Sequence, residues 1–202
     1  MKKISLASLT ALSIFFFACN GNSTTETTET DSTTSTMNDT GASNMNATDA
    51  SSTAPMAMAD DKTKDFSKEA ATGGLMEVAL GNIAMKNASS QDVKDFGKMM
   101  VDDHTIINNQ LKELAAKKMV DLPATVTEDQ QKHIDKLSKK TGTAFDKEYV
   151  SMMIDDHKKD IDAFKKNGEE LTDSDYKTFI SNGLPTLQKH LDSIQAIKAR
   201  MK

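Results

Sequence analysis

From Asp65 onward apolar residues recur at alternating spacings of three and four, the signature of helices that bury one stripe, and no run alternates strictly as a half-buried strand would. The stripe Phe66, Ala70, Gly73, Glu77, Leu80 and Ala84 predicts a first helix over 65–87. A second, to about Lys118, carries Val93, Phe96/Gly97, Met100, His104, Ile107, Leu111 and Leu114. Ser89 and Ser90 are its expected N-cap, with Asp92 in the first turn and Lys117 and Lys118 at the negative end of the dipole. So short a turn makes these two helices antiparallel neighbours. Beyond Asp121-Leu122-Pro123, Thr127 and Gln130 form a capping box for a short polar helix that ends near Gly142, with His133 facing solvent. Thr143 with Asp146 restarts a helix to about Asn167, ended by Gly168, with Val150, Met153, His157, Ile161 and Phe164 on its seam. Thr172-Asp173 opens the last helix, whose stripe is Leu187, His190/Leu191, Ile194, Ile197 and Met201; Gly183 and Pro185 are expected to kink it, because proline removes a backbone donor. Gly73 and Gly74 each weaken a helix by about 1 kcal/mol relative to Ala, and are expected to serve a close helix contact. The expected fold class is all-α: an antiparallel four-helix bundle with an extra short helix, over 65–202.

Four of these seams carry an ionisable residue: Glu77, His104, His157 and His190. Two lie in near-identical copies of one hexapeptide, Met99-Met100-Val101-Asp102-Asp103-His104 and Met152-Met153-Ile154-Asp155-Asp156-His157. In each copy the histidine and the second methionine fall on the buried face, the second aspartate lies about 100° round, and the first faces water. Buried ionisable groups are costly unless paired or ligated, so one per helix invites a common explanation. At a rise of about 1.5 Å per residue, Glu77 and His104 stand roughly 18 and 21 Å above their shared turn and should be level; His157 and His190 come out near 15 and 27 Å, a mismatch of about 12 Å. Neutral imidazoles and a carboxylate suit zinc, copper or iron, and the facing helices of a bundle are a usual place to hold one. The candidate ligands are therefore Glu77, His104, His157 and His190. Asp103 and Asp156 are candidates for fixing the imidazole tautomers, and Met100 and Met153 would be soft ligands favouring Cu(I). The alternative is a core hydrogen-bond network in which Glu77 pairs with the histidines and the methionines fill gaps.

The N-terminal third changes the picture from a free domain to an exported one. Met1-Lys2-Lys3 and the apolar run Ile4 to Ala18 have the build of a secretory signal, too short for an ordinary membrane span. The run ends Phe16-Phe17-Ala18-Cys19, which resembles the lipobox of bacterial lipoproteins with Phe16 where Leu is usual. That resemblance implies cleavage after residue 18, lipid on Cys19 and a membrane partner reached through an anchor. Residues 20–64 are Thr, Ser, Asn, Asp and Ala with scattered Met, a tract too polar to fold and expected to act as a disordered tether of roughly 35 to 40 Å mean span. Asn20, standing where an inner-membrane retention signal would have Asp, favours the outer membrane. Cys19 is the only cysteine, so neither disulfides nor thiolate ligands are expected in the domain.

The formal net charge of −5 argues against nucleic acid as a partner. The chain has no Glu-x-x-His for a carboxylate-bridged di-iron site, no phosphate-binding glycine loop and no Gly-x-Ser-x-Gly elbow. A non-enzymatic role is expected.

Met100-Val101-Asp102-Asp103-His104, Phe145-Asp146-Lys147-Glu148-Tyr149, Asp156-His157 and Leu184-Pro185 followed by His190-Leu191 stand in the order in which a known bacterial family carries them. Over about Phe66 to Met201 the chain closely resembles domain-of-unknown-function family 4142, described as predicted outer-membrane proteins. The resemblance implies a ferritin-like four-helix bundle and an envelope location, and implies no activity.

Overall fold

The computed structural model describes residues 58–201, and the signal, Cys19 and nearly all of the expected tether lie outside them. Five helices follow one another, α1 (Asp61–Asn87), α2 (Gln91–Lys117), α3 (Glu128–Ser138), α4 (Gly142–Glu170) and α5 (Ser174–Arg200), and the described residues contain no strand. The first helix starts four residues before the expected Asp65. Asp60 explains the difference: its carboxylate accepts from the Thr63 amide at 2.7 Å and so caps a turn that buries Thr63.

Ion pairs at the helix ends define the packing directions. Lys62 meets Glu170, placing the start of α1 beside the end of α4, and Lys118 meets Asp173 and Asp175, placing the end of α2 beside the start of α5. Arg200 meets Asp92, joining the end of α5 to the start of α2. The neighbours around the bundle are thus α1, α2, α5 and α4, each antiparallel to the next. Two hairpins, α1–α2 and α4–α5, are joined by one long crossover that contains α3 and runs the length of the bundle. A single crossover of this kind is the connectivity of ferritin-like bundles.

Expected caps hold in part. Thr127 and Gln130 make the reciprocal capping box. Ser90 sits at the N-cap of α2 but makes no side-chain cap bond. Asp146 of α4 does that work across the bundle, accepting from the amides of Ser89 and Ser90 at 3.1 and 3.0 Å and from the Ser89 hydroxyl. The helix α4 begins at Gly142, whose φ of 64° suits glycine, and continues through Gly168 to Glu170. In α5, Pro185 is accommodated within a helix that runs unbroken to Arg200.

The close contact expected at Gly73 and Gly74 divides. A Cβ on Gly74 would lie 2.0 Å from the Asn108 side chain, whereas one on Gly73 would meet only Asp160, at 4.0 Å. The tightest backbone approach of α1 to α2 is at Gly81 and Gly97, where a Cβ on Gly81 would stand 2.7 Å from the Gly97 carbonyl oxygen.

Candidate functional site

The predicted seams turn inward as expected, and their ionisable members meet. Glu77 is 3 % exposed, His104 2 %, and His157 and His190 0 %. The mismatch foreseen for His190 shrinks from about 12 to about 4 Å because α4 ends later than expected and α5 starts later. Counted from Glu170 and Ser174, His157 and His190 stand roughly 20 and 24 Å from their turn.

Hydrogen-bond geometry assigns the protons. His157 Nδ1 lies 2.9 Å from the Met153 carbonyl oxygen, which can only accept, so Nδ1 carries the hydrogen and Nε2 is a bare lone pair. His190 Nε2 lies 2.9 Å from Asp103 Oδ2. Partial burial raises the Asp103 pKa, but the His190 bond and Lys189 outweigh it, leaving the group lowered and ionised; Nε2 donates, and His190 Nδ1 is the lone pair. Those two lone pairs face each other, with His157 Nε2 3.2 Å from His190 Nδ1. The third imidazole, His104, points Nδ1 at Glu77 Oε2 at 2.9 Å, and its Nε2 is buried without a partner. One nitrogen from each histidine lies within 4.8 Å of the others. Phe96 turns its ring edgewise to His157 and His190, with centroids 6.4 and 6.3 Å away, closing one side with apolar surface.

Burial holds all three imidazoles neutral, lowering each pKa to about 4 from 6.5. Burial acts in the opposite direction on Glu77, pushing it up to about 7 although its interaction with His157 opposes the shift. Asp160, one turn beyond His157 on α4, hydrogen-bonds Glu77; burial first, then the charges of Glu77 and Asp156, push its pKa well up. Asp160 therefore holds the shared proton and donates it to Glu77. Glu77 Oε1 also lies 3.5 Å from His157 Nε2, and Glu77, His157 and Asp160 bring one ligand atom each within 4.8 Å.

Asp160 is the residue that sequence reasoning missed. Its signal was present, since a residue three positions after His157 shares its face, but Ile161 filled the seam and drew attention away. Asp103 does orient an imidazole, across the bundle on α5 and not next to it on α2. Asp156, expected to do the same, does not: its Oδ1 is 3.9 Å from Lys159 and its Oδ2 is buried without a partner. Adjacent helical residues project about 100° apart, so neither aspartate can reach the histidine that follows it. Met100 and Met153 are fully buried in the apolar core, and Met153 reaches the cluster through its carbonyl. His133 is exposed, as expected.

The arrangement offers three neutral imidazoles and two carboxylates sharing a proton. The chain matches, over residues 47–197, the family model described as "Domain of unknown function (DUF4142)". Neither the curated proteins nor the solved structures provide a match.

Proposed function

The chain belongs to the DUF4142 family, whose description assigns no activity, and from its own residues we propose that it is a non-enzymatic, exported, lipid-anchored protein of the bacterial envelope that binds a transition-metal ion between His104, His157 and His190. The observation that carries this reading is His157 Nε2 standing 3.2 Å from His190 Nδ1, each the nitrogen left as a lone pair when its neutral ring donates to Met153 or Asp103. Two acceptors so placed repel, and a cation between them converts the repulsion into two bonds. Zinc–nitrogen bonds of about 2.0 to 2.1 Å at tetrahedral angles put ligand nitrogens about 3.3 Å apart, close to this spacing. The third nitrogen, at most 4.8 Å away, need close by no more than about 1.5 Å, a side-chain adjustment. Glu77 is placed to complete the set or to hold His104. A nitrogen-rich site with one carboxylate suits zinc, copper, iron or cobalt better than calcium or magnesium. The ion would lie inside the bundle, which supports a role in holding metal and not in turning over a substrate.

A second reading has its own support. His190–Asp103 joins α5 to α2 and His104–Glu77 joins α2 to α1, so the cluster could act only to fix helix register. Chelator-treated protein purified without a polyhistidine tag separates the two. Zinc at about a hundredfold excess over its dissociation constant should add about 3 kcal/mol, which is roughly 5 to 10 °C in Tm for a domain of this size. His157→Ala should abolish that shift and the bound metal measured by elemental analysis. No shift with zinc, copper, cobalt or iron would leave the register role. Anchoring is tested separately: Cys19→Ser should release the protein from the membrane fraction or block its processing, and unchanged fractionation and mass would count against the lipid.

A further inference from the structure

A metal held by buried ligands needs a way in, and a cavity ends on Glu77 and Asp160, with Glu77 in turn 2.9 Å from His104 and 3.5 Å from His157. About 250 Å³ in size, it opens between α1, α3 and α4. Five acidic side chains line it, Glu69, Asp129, Asp156, Glu77 and Asp160, the last carrying the proton it shares with Glu77, against one cation, Lys159, whose side chain is 77 % exposed and 3.9 Å from Asp156. Glu69 and Asp129 stand at the exposed mouth and Glu77 at the inner end. Glu77 is 97 % buried, and its Oε1 has no hydrogen-bond partner. An acid-lined passage that ends on an unpartnered buried carboxylate oxygen draws cations inward, because low-dielectric walls focus the field along it.

We propose that this cavity is the route by which a hydrated divalent cation reaches the imidazoles, and that Glu77, Asp160 and His157 form an outer position where it is first held. The inference rests on the metal-binding reading above. His157 links the two positions. Its Nδ1 is committed to the Met153 carbonyl, leaving Nε2 as the one nitrogen it can offer to either triad. A single lone pair serves one ion at a time. The oxygen-rich triad and the imidazole triad are therefore successive stations of one cation, and the expected stoichiometry is one. Oxygen ligands at the first station suit a partly hydrated ion, and nitrogen ligands at the second suit the same ion once it has shed water.

The wall of the passage provides a clean probe. A Cβ on Gly73 meets only Asp160, at 4.0 Å, so Gly73→Leu places its side chain in open cavity. Cobalt(II) is mixed with chelator-treated full-length protein, and its visible absorption is followed in a stopped-flow instrument. Gly73→Leu, and the charge reversals Glu69→Lys and Asp156→Lys combined, should each load at least tenfold more slowly and reach the wild-type spectrum and stoichiometry. Asp192→Lys, an equal charge change per residue on the exposed side of α5, should load at the wild-type rate. If wild type takes up cobalt but the cavity variants load as fast as it does, the route is overturned and the metal-binding reading stands. If wild type shows no cobalt spectrum, or His190→Ala shows the same one, the metal-binding reading falls first. Glu69 is exposed, so Glu69→Lys alone reports should Gly73→Leu fail to fold.

Discussion

Glu77 is the residue on which the buried cluster turns. Its carboxylate takes hydrogens from His104 and Asp160 and leaves Oε1 toward His157, so three helices depend on one side chain. Glu77→Gln keeps the shape and lets the amide face the His157 lone pair, but it removes the carboxylate charge that pairs with His104 and Asp160. Loss of one member of a buried charged network costs about 3 kcal/mol. In metal-free protein the substitution should lower the urea midpoint by a corresponding amount with an unchanged slope. A change within a few tenths of a kcal/mol would show that Glu77 is solvated in solution. His190 is the contrasting case at this scale. Its stripe position was legible, but its level was not, because a rise of about 1.5 Å per residue turns an error of two or three residues at each helix end into several ångströms.

At the scale of whole helices, periodicity revealed all five elements and the inward faces, while the ends depended on partners distant in sequence. Asp146 shows why. It reads as part of the first turn of its own helix, and a local rule assigns it there; in the fold it caps α2, an exchange that only the antiparallel contact of α4 with the α1–α2 turn creates. Asp146→Ala should therefore destabilise the protein by about 2 kcal/mol, and hydrogen exchange should report the loss at the amides of Ser89 and Ser90 and not at the start of α4. Protection lost first at residues 142–146 would contradict the cross-bundle cap. The Gly81–Gly97 crossing was equally silent in the sequence, since a lone glycine in a helical pattern signals only a weak spot. Gly97→Ala tests it: the added methyl would sit 2.8 Å from both Ala84 Cβ and the Gly81 carbonyl oxygen. The usual helix gain of about 1 kcal/mol from Gly to Ala should be reversed into a loss of about 1 to 3 kcal/mol, measured by thermal unfolding.

For the molecule as a whole, the buried groups set opposing pH dependences, and their balance is a test of the cluster as a unit. Each of the three imidazoles has a folded pKa of about 4, against 6.5 when free. The unfolded chain therefore binds their protons first, and this contribution to stability is lost as pH falls from about 6.5 toward 4. Glu77, raised to about 7, and Asp160, raised well above 3.8, do the reverse: the folded state holds their protons, and that contribution is lost as pH rises through their folded pKa values. Between about pH 5 and 6.5 the unfolded chain takes up more protons on the three imidazoles than the folded chain holds on the Glu77–Asp160 pair, so stability should rise with pH. Above about 6.5 the imidazoles no longer contribute to the slope, and stability should decline as Glu77 ionises near 7. The metal-free protein should thus melt highest near pH 6.5, with a limb on either side. Asp160→Asn removes one opposing carboxyl, so its acid limb should steepen. Thermal unfolding across pH 4.5 to 9 in chelator-treated samples reads both limbs. An Asp160→Asn profile parallel to wild type would mean that the shared carboxyl proton is absent and that the imidazoles alone set the pH response.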